Sequence, residues 1–310
     1  MRTATRFVAL AVLVGLVVAP WSGAAARRPP SPATLLARHV PILVLHPDEN
    51  FGPVTVEGFL ADSDLTQSTS SGWVPVPGPL PARGAALRLD QRSCRAIDGP
   101  AATPCYVAAE AAHPASQVVY GASFRTKTRI ALQYWLWSPY DDYVAPLSRG
   151  EVWQVHEGDW ESVSIILDLS GAPLSVALSA HCKGSRRTWA RTQKRGVHPL
   201  VYVALGSHAN YFGRGLHRHN PVCWPREVRD VVRALMLVDR TASGETVRPQ
   251  LVRVNAKTPS WMTFAGTWGE TGYVHFPNNP PIAYGAGPRG PAFHAQWRRP
   301  VAEVMSWPQG

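Results

Sequence analysis

The run His156-Glu157-Gly158-Asp159-Trp160-Glu161 gathers an imidazole and three carboxylates in six consecutive residues. In an extended chain side chains alternate, so Asp159 and Glu161 share a face that continues as Val163, Ile165 and Leu167. The spacing predicts a strand over 160–169 beginning near Asp159, with His156 on the loop just before it. Two carboxylates at the end of an apolar face repel each other and lose hydration, so they need a cation or good hydrogen bonds. A divalent cation meets that need; an Arg bridge or plain solvation meets it too. A zincin is excluded, because the second His of H-E-x-x-H would fall on Trp160.

The other histidines follow from the elements around them. Ser170-Gly171-Ala172-Pro173 reads as a two-residue hairpin turn with Gly at its first central position. That turn pairs Leu169 with Leu174, Val163 with Ala180 and Glu161 with Cys182. His181 then lies opposite Ser162, across the sheet from the carboxylates, and joins the site only through a bulge or a longer loop. His208 ends an expected buried strand over 200–208 and is a further candidate. His217 and His219 fall in a Gly/Arg/Asn-rich loop and are expected to be solvated. His46-Pro47-Asp48-Glu49 reads as a strand-ending turn with Asp48 bonding local amides.

Nucleophilic catalysis has little support. No G-x-S-x-G elbow occurs, and alternation turns Ser207 and His208 to opposite faces. The enzyme reading that survives is a metal-activated water, with His156 or Glu157 relaying a proton in a hydrolase acting on phosphoesters or glycans.

Short strands must position these groups. Apolar runs over 39–46, 117–126, 128–140, 174–181 and 200–208 read as strands, the third ended by Pro139. Helical spacing is confined to 33–38 and 228–238, and residues 67–81 and 98–104 are expected to be loops. The 29 Pro, about twice the usual share, argue against a helical bundle. No heptad or repeat is visible. The expected architecture is mostly β: a lectin-like β-sandwich with one or two short helices and long loops. Trp135, Trp137 and Trp160 are expected in its core. Trp268 and Trp297 are expected to pack similarly, with sugar stacking as their alternative role.

Arg2 and Arg6, an apolar run over 7–19 and Ala24-Ala25-Ala26 before Arg27 have the layout of a secretory signal peptide. The expected organisation is a signal peptide over 1–26 and a single β-rich domain over 27–310, secreted or otherwise extracytoplasmic. No later apolar run reaches the length of a membrane span, so no transmembrane helix is expected after cleavage. Without residues 1–26 the net charge falls from +10 to +8. The excess is mostly Arg in scattered pairs without an aromatic-interleaved stripe, which excludes nucleic acid but allows peripheral contact with anionic membrane surfaces. Four Cys in an exported chain imply two disulfides. Three pairings exist; the local one joins Cys94 with Cys105 and leaves Cys182 with Cys223.

HEGDWE resembles the H-x-G-D-W-E core of the vacuolar protein sorting-associated (Vps-type) family. Blocks similar to that family's run in order along the chain: VLHPDE (44–49), YWLWSPYDD (134–142), HEGDWE (156–161), LSAH (178–181), HPLVYVALGSHANYF (198–212), FAGTWGE (264–270) and GPRGPAFHAQW (287–297). A more distant resemblance is to the necrosis- and ethylene-inducing peptide-like proteins, which carry G-H-R-H-D-W-E after an aromatic strand ending in Pro-x-Asp. Those proteins are β-sandwiches that engage sphingolipid sugar head groups through a divalent cation and damage plant membranes. This chain has Glu157-Gly158 where they have Arg-His, and a longer spacing before His156. Carried over residue by residue, the resemblance implies a cation held by Asp141, His156, Asp159 and Glu161. Asp142 is the one-residue alternative to Asp141, and His181, His208 and Glu157 are further candidates. Such an oxygen-rich set favours Ca²⁺, Mg²⁺ or Mn²⁺, with Zn²⁺ also accommodated.

The resulting expectation is an exported, divalent-cation-binding β-sandwich that engages a glycan or lipid head group through its metal. A metal-dependent hydrolase is the first alternative. A structural, envelope-associated module without a ligand, its acids paired with Arg, is the second.

Overall fold

In the computed structural model, which describes residues 30–77, 80, 86–95, 99–112, 117–270, 272–285 and 287–310, two 17-residue strands dominate, Ile130–Pro146 and Glu151–Leu167. The expected signal peptide lies outside the described residues. The two strands pair antiparallel along their length, from Ile130 opposite Leu167 to Pro146 opposite Glu151. Both are longer than the sequence suggests. Pro139 does not end the first: Ser138 pairs with Asp159 and Tyr140 with Glu157 in unbroken register, so the missing N–H of Pro139 falls opposite Gly158. The second begins at Glu151, so His156 is a strand residue and not a loop residue.

This hairpin is the middle of an eight-stranded sheet. Val118–Arg125 and Gln250–Arg253 extend it beyond Ile130–Pro146. The far edge of Glu151–Leu167 is shared by two partners. Gly272–His275 pairs with it from Trp153 to Val155, and Pro173–Ala180 pairs with it from Val163 to Leu167. Residues 156–162 therefore lie on an edge between two partner strands, and the HEGDWE run occupies that gap.

Smaller sheets cover both faces. Leu132, Tyr134, Leu136, Val163, Ile165 and Leu167 pack against Leu43, Val201 and Val247 of a sheet that includes Ile42–Val44 and His198–Val203. On the other face Trp135, Trp137 and Trp160 pack against Leu65, Leu87, Leu89 and Trp268, from a four-stranded sheet. Each fully buried side chain of this size contributes about 1.5–3 kcal/mol, and alternation along the hairpin serves both cores at once. The result is a β-sandwich. Trp268 and Trp297 are buried too, as core residues.

Several local expectations are corrected. The stretch 67–81 is not all loop: Ser63–Thr69 and Gly72–Pro75 form a hairpin. Residues 98–104 lead through a 3₁₀ turn at Gly99–Ala102 into the helix Thr103–Ala112, which composition did not signal. The helical spacing over 228–238 yields only Arg229–Leu235, stopped by Met236 in the left-handed region, after which Val238–Thr241 is a strand. The strand expected over 39–46 is only Ile42–Val44, whereas the helix expected at 33–38 is present as Pro32–Arg38. Both disulfides form in the local pairing, Cys94–Cys105 and Cys182–Cys223. No helix among the described residues is long and apolar enough to cross a membrane.

Candidate functional site

The gap at the sheet edge opens into a cavity of about 320 Å³ lined by Asp141, His156, Asp159 and Glu161, with His181 and Trp160 beside them. One backbone feature brings these side chains together. Asp159 and Glu161 lie on odd positions and His156 on an even one, so strict alternation would separate them. Gly158 at φ +63° shifts the alternation by one residue while the pairing register holds. A Cβ there would lie 2.4 Å from both the Trp137 ring and the Trp268 carbonyl oxygen, so glycine is required on two counts.

His156 and Asp141 are cross-strand partners, Nε2 3.3 Å from Oδ2. Nδ1 of His156 donates to the Gly158 carbonyl at 2.7 Å, which leaves Nε2 as the ring atom facing Asp141. Burial opposes charge on this imidazole, but Asp141 outweighs it and holds His156 up at about 9. Asp141 Oδ1 accepts from the Tyr143 amide at 3.1 Å. Glu161 accepts from the Ser179 hydroxyl and, at 3.0 Å, from the His181 amide. Burial, with Asp159 alongside, pushes Glu161 up to about 8. Among the described residues the ionic partners of Asp141 and Asp159 are imidazoles, His156 and His208, rather than an Arg.

The further candidates separate into two groups. His181 does line the cavity, contrary to the simple hairpin geometry. The turn after Leu167 is longer than two residues, because the Asp168 carboxylate accepts from the amides of Ser170 and Ala172. Val163 consequently pairs with Leu178 and not with Ala180. The strand ends at Ala180, and His181 at φ +56° turns its amide to Glu161 and its ring to Asp239, Nε2 to Oδ2 2.7 Å.

His208, Asp142 and Glu157 lie outside that lining. The strand expected over 200–208 ends at Val203, and His208 sits in the following turn at φ +49°. Its Nδ1 reaches Asp159 at 3.2 Å and its Nε2 faces Glu49 at 3.5 Å, so it buttresses Asp159 from behind. Burial opposes its charge, yet the two carboxylates hold it well above its ordinary range. Asp142 points to Asn50 and Thr103. Glu157 is buried on the opposite face, where it accepts from Tyr106 Oη at 2.6 Å and from the amides of Gln91 and Glu270 at 3.1 Å. Burial pushes it up to about 7.

Residues the sequence did not single out complete the surroundings. Glu49, not Asp48, is the buried acid of the HPDE turn; it accepts from the amides of Phe51 and Gly206. Asp239 is fully buried, and His219, expected in solvent, is buried beside it. His217 is only partly covered, stacked on Tyr211. Pro288 and His294 bring the C-terminal block to the cavity wall. Isolated acids and histidines in loops carry no periodic signal of burial, which is why these were missed.

No family model matches the chain. The chain is similar to vacuolar protein sorting-associated proteins. Two from Saccharomyces cerevisiae are TDA6, 28% identical over 174 residues, and protein 62, 26% identical over 200 residues. These stretches cover 46% and 55% of this chain but only 36% and 41% of the relatives, so the match spans about two fifths of their length. Among solved structures, NLPPya in complex with glucosamine is 14% identical at a TM-score of 0.41, covering 89% of this chain and 93% of that one. Necrosis and Ethylene inducing Protein 2, from the causal agent of cocoa's witches' broom disease, is 18% identical at a TM-score of 0.31, covering 74% and 76%.

Proposed function

We propose that this protein is an exported, divalent-cation-dependent binding protein whose ion is held by Asp141, His156, Asp159 and Glu161. The carrying observation is that these four side chains line a single cavity at a break in the sheet edge. The donor set fits a cation. Three carboxylates and one imidazole offer mostly hard oxygen ligands, the pattern suited to Ca²⁺, Mg²⁺ or Mn²⁺ and also acceptable to Zn²⁺. Burial, and after it the charge of Asp159, pushes Glu161 up, and the like-charge part is a cost that an ion would relieve. The bond from Nδ1 of His156 to a carbonyl fixes the ring as metal-ligating histidines are fixed.

A bound divalent ion supplies positive charge and open coordination positions. The remaining lining decides what can reach them. A space of about 320 Å³ suits a small polar group. Trp160, Pro288 and His294 complete the lining, and a sugar ring resting on this less polar side can turn its hydroxyls toward the acids. The ligand class is therefore the hydroxyls or phosphate of a glycan or a lipid head group. The two disulfides fit an oxidising, extracytoplasmic setting.

The test is capture on glycan and lipid arrays with added Ca²⁺, Mg²⁺ or Mn²⁺, using wild type and Asp159→Asn. Capture should require the cation, stop with EDTA and vanish in the folded variant. Capture unaffected by chelator, or by Asp159→Asn, would contradict the reading.

A further inference from the structure

Beside the proposed cation cavity lies a second cluster that the carboxylate set does not use. Asp239, fully buried on the strand Val238–Thr241, has Nε2 of His181 at 2.7 Å from Oδ2 and Nε2 of His219 at 3.0 Å from Oδ1. One ligand atom from each of the three residues can be chosen so that all lie within 4.8 Å of one another. From these residues we propose a second, nitrogen-rich cation site for Zn²⁺ or a similar borderline ion.

Three observations favour an ion over a closed hydrogen-bond network. First, His219 is unsatisfied. Its side chain is 1% exposed, and among the described residues neither ring nitrogen makes a hydrogen bond, although Nε2 is within reach of Asp239. A buried imidazole whose one close polar contact is a poorly bonded carboxylate is costly as a structural group and ordinary as a ligand. Second, the carboxylate is held from outside. Ser207 Oγ donates to Oδ1 and Tyr211 Oη to Oδ2, each at 2.6 Å, which fixes the plane of Asp239 as outer-shell partners fix a metal ligand. Third, the site has an entrance, because His181 and Ser207 also line the 320 Å³ cavity.

The chemistry separates the two sites. Two imidazoles and one carboxylate suit a borderline first-row ion, whereas the carboxylate set suits a hard one. Bonds of about 2.0–2.1 Å to tetrahedral zinc set ligand atoms about 3.4 Å apart, so the cluster must open by about 0.7 Å at the His181–Asp239 contact, which is 2.7 Å. Binding displaces the proton that His181 shares with Asp239, and that proton leaves to solvent. The His181 backbone, at φ +56°, hands its amide to Glu161 while its ring serves Asp239, so one residue touches both sites. The disulfide Cys182–Cys223 pins the neighbouring segments.

The experiment uses the chain carrying Asp159→Asn and Glu161→Gln, which removes the carboxylate site. Equilibrium dialysis with Co²⁺ or Zn²⁺ should find about one equivalent, with the visible bands of a histidine-ligated Co²⁺. Adding His219→Ala should weaken that binding at least tenfold. A folded Asp159→Asn/Glu161→Gln chain that binds neither ion, or binding indifferent to His219→Ala, overturns the proposal. If His219→Ala does not fold, ring-nitrogen NMR of the Asp159→Asn/Glu161→Gln chain decides. Zn²⁺ should shift the His181 and His219 resonances, and unshifted rings overturn the proposal. Loss of the carboxylate site alone leaves this result intact, so the two sites fail separately.

Discussion

His156 and Asp141 face each other across the longest hairpin of the fold, Nε2 to Oδ2 3.3 Å, in a register that neither Pro139 nor Gly158 disturbs. The pairing follows from that register, and the strand changes its inward parity at Gly158 without slipping. Asp159 and Glu161 are thereby delivered to the same cavity as His156. The site is thus a property of the strand pair, and its weakest point is one glycine.

Gly158→Ala should cost about 2–4 kcal/mol. The new methyl meets the Trp137 ring and the Trp268 carbonyl at 2.4 Å in a left-handed conformation that alanine disfavours. Urea unfolding should show the midpoint falling, and cation binding should weaken in whatever remains folded. An unchanged midpoint would mean that the chain can restore ordinary alternation here.

Glu157, despite sitting inside the acidic run, should behave as framework. Glu157→Ala strands the Tyr106 hydroxyl and two amides in a buried setting, at about 1–3 kcal/mol for each donor left unmet. Glu157→Gln should lose less, because its carbonyl still accepts. In both, cation stoichiometry should stay as in wild type wherever the protein is folded; loss of the ion would place Glu157 in the site.

Glu110 gives the fold a pH dependence. Burial raises it from 4.5 to about 7, with His208 pulling the other way, and its Oε2 has no hydrogen-bond partner among the described residues. An acid raised in the folded state contributes stability that is full below about 4.5 and is lost as the pH climbs through about 7. Glu110→Gln should therefore match wild type near pH 4.5 and exceed it at pH 8 by about 1–3 kcal/mol. Denaturant titrations at the two pH values check this; equal stability at pH 8 would contradict it.

Replacing Cys182 and Cys223 by Ser should cost about 2–4 kcal/mol, since the bond closes a long loop. The larger consequence should be local. His181 precedes one half-cystine and His219 lies shortly before the other, so Co²⁺ binding at that pair should weaken more than binding at the carboxylates. Equal effects on both would show that the disulfide acts only on global stability.

Much of this was legible where periodicity speaks. Alternation through Val163, Ile165 and Leu167 correctly implied a buried strand with Glu161 on its inner face. The reading failed where one backbone angle outweighs pattern. Gly158 altered the parity, and His156 proved to be a strand residue. An Asp168 side chain lengthened the turn and moved the next strand by two residues. Left-handed backbone at His181 ended one flanking strand, and a turn after Val203, in which Gly206 and His208 are left-handed, ended the other. Asp239 carries no sequence signal and His219 reads as a solvated loop residue, because burial of an isolated polar group depends on distant partners, here Ser207, Tyr211 and His181, that no local window contains.

Asp141, His156, Asp159 and Glu161 are proposed to hold a divalent cation. Elemental analysis of the protein purified without chelator, beside the folded Asp159→Asn/Glu161→Gln chain, tests it most directly. Wild type should hold a hard cation, chiefly Ca²⁺, Mg²⁺ or Mn²⁺, at about one equivalent, and the double variant should lack it. Wild type devoid of that cation even after soaking with each ion, or a double variant that retains it in full, would contradict the account.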